Sequence, residues 1–370
     1  MTQPMALDQI YAPVRPDLDA LERLFRAELS AEDPFIGELV THVLATRGKM
    51  LRPALVCLSA LAAGGAPAAG EMDDRLGVAG AVELIHVASL IHDDVIDAAY
   101  LRRGQASVNA VWGNQVAVLL GDFLFSKAFH MLARLRAGGL AAAMAAATVR
   151  MAQAEIIQIK YGNTPHTDER IYFGIIDGKT AALTSAACRC GALTAGARPE
   201  SAEALAAFGL EWGMAFQITD DALDVTATAD HLGKPIGSDI QTGKMTLPII
   251  FALRDAPEPD GQRLRQILTA DGDGASEHGG EPDAGTRGGV APSGAGPPAA
   301  AVAGRPPAAA RVSALDEVQA ILARAGAVDR ALAVARARAE RAARALDGLP
   351  PSAARDSLAA LVEFVTVRTR

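Results

Sequence analysis

Apolar residues recur at intervals of three and four along most of this 370-residue chain, and that rhythm lines one face of a helix with 3.6 residues per turn. No stretch alternates apolar and polar with the Val, Ile and Thr enrichment of a strand. The fold read from this is all-α, one large bundle of ten or more helices. The spacing predicts helices over 16–30, 33–47, 51–63, 72–97, 107–134, 139–161, 168–195, 201–226, 244–254, 261–269, 313–325, 327–347 and 352–369. Half the residues are apolar, enough for the core of a single domain over 1–370.

One stretch departs from the rhythm. Residues 271–311 hold ten Gly and six Pro, with Val290 and Val302 as the large aliphatics. Such a segment buries too little surface to offset its ordering entropy, so it is expected to be a disordered insertion in the domain. Helical periodicity resumes at Ser313, where Ser313-Ala-Leu-Asp316 reads as a capping box.

A net charge of -8 speaks against nucleic-acid binding through a basic face. Cys57, Cys188 and Cys190 form no paired framework and read as buried small hydrophobes in a reducing cytoplasm. The first residues lack the basic start and apolar run of an export signal. The most apolar window, 138–149, is too short for a membrane span of ~20 residues, so no transmembrane segment is expected.

Chemistry concentrates in two acidic motifs. In His92-Asp93-Asp94-Val95-Ile96-Asp97 the outer aspartates are four apart, which stacks them on one helical face. Asp220-Asp221-Ala-Leu-Asp224 repeats the spacing 127 residues later. A lone motif of this kind reads as a solvated helix end. Here each interrupts an apolar run, VELIHVASLI before the first and LAAFGLEWGMAFQIT before the second, so neither sits on an ordinary polar face. Two antiparallel helices can bring the six carboxylates around one cavity mouth, where they require cations. An almost all-aspartate site suits magnesium and disfavours zinc.

Basic residues flank these motifs. Lys49 and Arg52 open one helix in GKMLRP, Arg102-Arg103 follow the first triad, and Lys179, Lys234 and Lys244 stand in GKT, LGKP and GKMTLP. Arginine forks and lysine point charges both bind phosphate. Gly178-Lys179-Thr180 lacks the spacing and the preceding strand of a nucleotide P-loop. His86 lies seven residues before Asp93, about two turns along the same face, and is read as a phosphate contact.

The stretches GKMLRPAL, ELIHVASLIHDDVIDAAYLRRG, GDFLFSKAF, GKTAAL, GMAFQITDDALD and LGKPIGSDIQTGKMTLP together resemble the trans-isoprenyl diphosphate synthases, or polyprenyl synthetases, from about residue 30 to 370 apart from the insertion. The resemblance implies a helical bundle around a central cavity, a homodimer, and head-to-tail condensation. In that reaction an allylic diphosphate ionises, isopentenyl diphosphate attacks the carbocation, and the departing diphosphate takes the proton. By position it implies that Asp93, Asp97 and Asp220, supported by Asp94, Asp221 and Asp224, hold two to three Mg2+ ions on the allylic diphosphate. Arg102, Lys179, Thr180, Gln217, Lys234 and Lys244 are then its contacts, and Lys49, Arg52, His86 and Arg103 form the isopentenyl diphosphate pocket. Asp93, Asp97, Asp220, Arg102 and Lys179 are the residues expected to carry the chemistry. Ser238 departs from the lysine that short-chain members often have there.

Small residues four and five positions before Asp93, Ser89 and Ala88, resemble the long-chain members, in which the growing chain passes down an open tunnel. The product expected is hexaprenyl to decaprenyl, a quinone side-chain precursor, with Phe123, Phe125 or Phe129 as candidates for the tunnel floor. A short-chain farnesyl or geranylgeranyl synthase is the alternative. A terpene cyclase would lack the second matched triad and the GKMLRP pocket, and a regulatory subunit would show eroded triads.

Overall fold

A computed structural model describes residues 5–45, 48–64, 73–162, 164–226, 238–270 and 308–367. Its helices in chain order are α1 Leu7–Ile10, α2 Arg15–Glu28, α3 Pro34–Ala45, α4 Leu51–Ala62, α5 Asp74–Ile96, α6 Val108–Ala133, α7 Leu140–Tyr161, α8 Glu169–Ile176, α9 Ala182–Thr194, α10 Pro199–Thr226, α11 Ser238–Gln241, α12 Leu247–Asp255, α13 Glu258–Ala270, α14 Ala308–Arg324, α15 Ala327–Ala345 and α16 Ala353–Val367. The all-α reading holds, with the long periodic segments placed within a few residues.

Three local features depart from the sequence reading. The predicted helix 168–195 is interrupted by a π turn, Asp177–Ala181, between α8 and α9. Two-residue strands, β1 Leu101–Arg102 and β2 Gln105–Ala106, form a hairpin after α5. They are too short to show a period of two. Helix α14 begins at Ala308, so Ser313 lies within the helix and not at its start; three alanines, good helix formers, open it. The insertion read at 271–311 lies almost wholly outside the described residues.

Helices α5 and α6 form an antiparallel pair inside the bundle. Asp73 caps α5, accepting from Arg75 N at 2.9 Å, and apolar residues on most of its faces bury it against α4, α6 and α9. Gly121 fixes one point of the α5–α6 register, because a Cβ there would lie 2.1 Å from His92 Nε2. By length and composition α5, α6 and α7 are apolar enough to cross a membrane, which the short-window argument missed. In α5 61% of that apolar window is buried inside the protein, so its hydrophobicity serves the core.

Two apolar cores share α10. Phe208 and Trp212, in its middle, join a core with Leu55, Leu58, Ile85 and Leu124. Ile218 and Val225, near its end, join a second with Leu247, Ile250 and Val318. The second aspartate triad lies between Ile218 and Val225, beside the second core.

Candidate active site

The chain around the first triad is held in a tense conformation. Among the described residues, those other than glycine with positive φ are Met50 (52°), Ala98 (47°) and Arg103 (52°), and all three adjoin predicted site residues. Helix α5 closes with Asp97 N donating to Asp93 O at 2.8 Å and Ala99 N to Asp94 O at 2.9 Å. This is a Schellman closure with alanine at the left-handed position where glycine is usual. The β1–β2 hairpin turns on Arg103 and Gly104, both with positive φ, as a two-residue turn of the primed type requires. Strain of this kind clusters at functional sites.

That hairpin aims two arginines differently. Arg102 Nε donates to both carboxylate oxygens of Asp94 at 2.9 Å, and Asp94 is only 4% exposed. The Arg103 guanidinium lies against Gly48, where a Cβ would come within 2.4 Å of it. Asp93 faces Lys179 Nζ at 3.4 Å, and Lys179 also pairs with Glu155. Asp97 accepts from Lys244 Nζ at 2.8 Å. Burial opposes the charge of Lys244, but Asp97, Asp239 and Asp93 outweigh it and raise its pKa. Each carboxylate of the first triad thus holds one cation that the sequence assigned to a diphosphate.

In the second triad Asp221 is held by neutral donors. Asp221 accepts from Tyr172 Oη at 2.7 Å and from Gln217 Nε2 at 2.8 Å, and Asp224 accepts from Asp239 N at 3.1 Å. Burial first, and the charges of Asp239 and Asp220, push Asp221 up to about 8 against the pull of those hydrogen bonds. Lys179 and Lys244, the partners of Asp93 and Asp97, share a cleft with Asp221, whereas Asp94 turns to another. One cleft is lined by Lys179, Thr180, Gln217, Asp221, Asp239 and Lys244. A second, lined by Gly48, Glu83, His86, Asp94, Arg102 and Arg103, lies along another face of α5.

Of Lys49, Arg52, His86 and Arg103, His86 and Arg103 line the second cleft, and Arg52 lies near enough to act on His86 through its charge. Tyr11 Oη donates to Lys49 O at 2.8 Å, and Phe364 lies 5.9 Å from Lys49 Nζ, so elements near both chain ends hold this segment. Arg52 Nε is buried without a hydrogen-bond partner among the described residues. Burial lowers the Arg52 pKa, opposed by Glu83 and Asp220. Burial and then Arg52, Arg103 and Arg102 hold His86 well below its usual value, so it is a neutral imidazole beside arginines. An anion fits this cluster, because it supplies an acceptor for the buried Arg52 Nε, which has none among the described residues.

Among the described residues no three of His, Cys, Asp or Glu close into a metal cage. The donor set still fits a hard divalent ion of the kind that keeps its waters and uses one or two carboxylates together with substrate phosphate. Asp93 and Asp97, partly exposed at the end of α5, are the carboxylates placed for this.

Lys234 lies outside the described residues, as does the side chain of Ser238. Of the two predicted tunnel residues, Ser89 is partly exposed while Ala88 is fully buried in the core. The sequence reading missed Glu83, Glu155, Tyr172 and Asp239. Glu83 lies on α5 three residues before His86, a signal the sequence did carry.

Residues 33–278 match the family model described as polyprenyl synthetase. The chain is 34% identical over 367 residues to an all-trans-nonaprenyl-diphosphate synthase (geranyl-diphosphate specific) of Rhodobacter capsulatus, covering 98% of this chain and 99% of that one. It is 32% identical to an octaprenyl diphosphate synthase of Haemophilus influenzae, covering 96% and 95%. A crystal structure of a polyprenyl synthase from Caulobacter crescentus, complexed with calcium and isoprenyl diphosphate, superposes with a TM-score of 0.83 at 28% identity over 100% of both chains.

Proposed function

This chain belongs to the polyprenyl synthetase family, and on that premise we propose that it extends an allylic diphosphate with isopentenyl diphosphate, head to tail, into a long-chain all-trans polyprenyl diphosphate. The observation that carries the reading is the pairing of Arg102, Lys179 and Lys244 with Asp94, Asp93 and Asp97, which assembles diphosphate-binding cations and metal-binding carboxylates at one helix end. Relatives matched over nearly the whole chain make nonaprenyl and octaprenyl products by name, and the partly exposed Ser89 supports the same product class. A quinone side chain is the use we propose for that product.

Family membership brings divalent-metal binding, and the ion we propose is Mg2+, two to three per site, held by Asp93, Asp97 and Asp220. Bound there, it supplies Lewis-acid neutralisation of the leaving diphosphate. The protein's own groups do the rest. Lys179, Lys244 and Arg102 turn from their carboxylates to the allylic diphosphate oxygens and stabilise the charge that develops as the carbon–oxygen bond breaks. Lys49, Arg52, Arg103 and neutral His86 hold isopentenyl diphosphate so that its double bond meets the allylic carbon. The departing diphosphate, fixed in place, accepts the proton lost after bond formation, so no dedicated base is required.

The exposed apolar side chains of α6 and α7, Leu119, Val149, Ile156 and Ile159 among them, form a face suited to a second copy, and we propose a homodimer. Three free, buried cysteines fit the cytoplasm as the compartment proposed. Incubating purified protein with farnesyl diphosphate and labelled isopentenyl diphosphate tests the central reaction. Label should enter a lipid-soluble product with Mg2+ and stop entering when the metal is chelated; no incorporation with metal present rejects the reading.

A further inference from the structure

Four side chains joining α8, the π turn and α10 form one hydrogen-bonded chain, whose direction follows from donors and acceptors. Tyr172 Oη donates to Asp221 Oδ2 at 2.7 Å, Gln217 Nε2 to Asp221 Oδ1 at 2.8 Å, and Thr180 Oγ1 to Gln217 Oε1 at 2.7 Å. Both Asp221 oxygens accept in this arrangement, with the Gln217 amide nitrogen turned to Asp221 and its oxygen to Thr180. One N–H of that nitrogen is committed to Asp221 and the other remains. Gln217, Thr180 and Asp221 line the same cleft as Lys179 and Lys244, where the allylic diphosphate is proposed to bind.

Tyr172 is 3% exposed and Asp221 6%, so their hydrogen bond is shielded from water. A glutamine side chain at a cleft wall otherwise has several rotamers and a twofold ambiguous amide. Anchoring Asp221 through the Tyr172 hydroxyl removes that freedom, and the cost of ordering Gln217 is met in folding rather than at substrate binding.

We infer that Tyr172 is a positioning residue for the allylic diphosphate: it fixes Asp221, Asp221 fixes the Gln217 amide, and Gln217 presents its free N–H to the substrate. Asp221 then serves Gln217 and is not a metal ligand. The inference rests on the prenyltransferase reading, since that reading places the diphosphate in this cleft.

The test is a double-mutant cycle on the full-length protein, read by calorimetry with farnesyl thiolodiphosphate, which binds without ionising readily. Tyr172→Phe keeps the ring and removes the hydroxyl. Its dissociation constant should rise about fivefold, the scale of one lost hydrogen bond, with the KM for isopentenyl diphosphate and the Mg2+ concentration for half-maximal binding unchanged. Gln217→Leu should weaken binding by a similar factor, and the double variant should lose no more than Gln217→Leu alone. Multiplicative losses would overturn the inference, as would a lowered Tm with unchanged affinity. A shifted Mg2+ requirement in Tyr172→Phe would also overturn it, by making Asp221 a metal ligand. If the wild-type protein binds the thiolodiphosphate but incorporates no label, the prenyltransferase reading fails while the cycle still reports on Tyr172.

Discussion

At the end of α5, Asp93, Asp94 and Asp97 meet cations from the π turn, the hairpin and the segment before α12, whereas at the end of α10 Asp221 and Asp224 meet a phenol, an amide and a backbone N–H. The same Asp-Asp-x-x-Asp spacing thus serves two purposes. Around the first triad, charge is already balanced and can be exchanged, carboxylate for metal and cation for diphosphate. In the second, a phenol and an amide fix Asp221 in place, while the charge of Asp220 opposes the lowering of the Arg52 pKa.

The sharpest way to break this comparison is to neutralise one aspartate from each triad. Asp93→Asn should lower kcat by about a thousandfold, the scale of losing a preorganised electrostatic group. Asp224→Asn, which keeps an acceptor for Asp239 N, should lower it by about tenfold, the scale of one weakened charged hydrogen bond. Steady-state kinetics on both variants, with circular dichroism to check folding, decides it; equal losses would mean that the triads work alike.

Stability separates the triads next. Arg102→Ala leaves the buried carboxylate of Asp94 without its cation and should cost about 3 kcal/mol of unfolding free energy, measured by urea denaturation. An effect under about 1 kcal/mol would class the pair with ordinary surface ion pairs.

Two neighbouring substitutions then distinguish tunnel from core. Ser89→Phe should shorten the product on thin-layer analysis. Ala88→Phe should mainly destabilise the fold, by about 2 kcal/mol, because it overpacks a fully buried position. The reverse outcome would restore Ala88 to the tunnel wall. The smallest effect is a gain. Ala98→Gly relieves the left-handed alanine that closes α5 and should add about 1 kcal/mol in thermal unfolding; no gain would mean that the closure is unstrained.

The sequence made the triads, their flanking cations and the helices legible because each rests on spacing within one segment. His86 and Asp93 can be placed on one face by counting. What it left out depends on partners far apart in the chain or on elements too short to carry a period. Tyr172 and Asp221 are 49 residues apart, and nothing near Tyr172 signals a carboxylate. The turn at Arg103-Gly104 spans four strand residues in all, so its effect, sending Arg102 to Asp94 and Arg103 to Gly48, has no periodic trace. Ala88 and Ser89 look alike as small residues, and only the packing of α5 separates a sealed position from an open one.

The central claim, that exchangeable charge at the end of α5 drives repeated prenyl transfer along an open path, is tested most directly by sizing the products made from labelled isopentenyl diphosphate and a short allylic primer with Mg2+. The account predicts a ladder of intermediates ending between hexaprenyl and decaprenyl. Accumulation of farnesyl or geranylgeranyl diphosphate as the final product, or no extension of the primer, would contradict it.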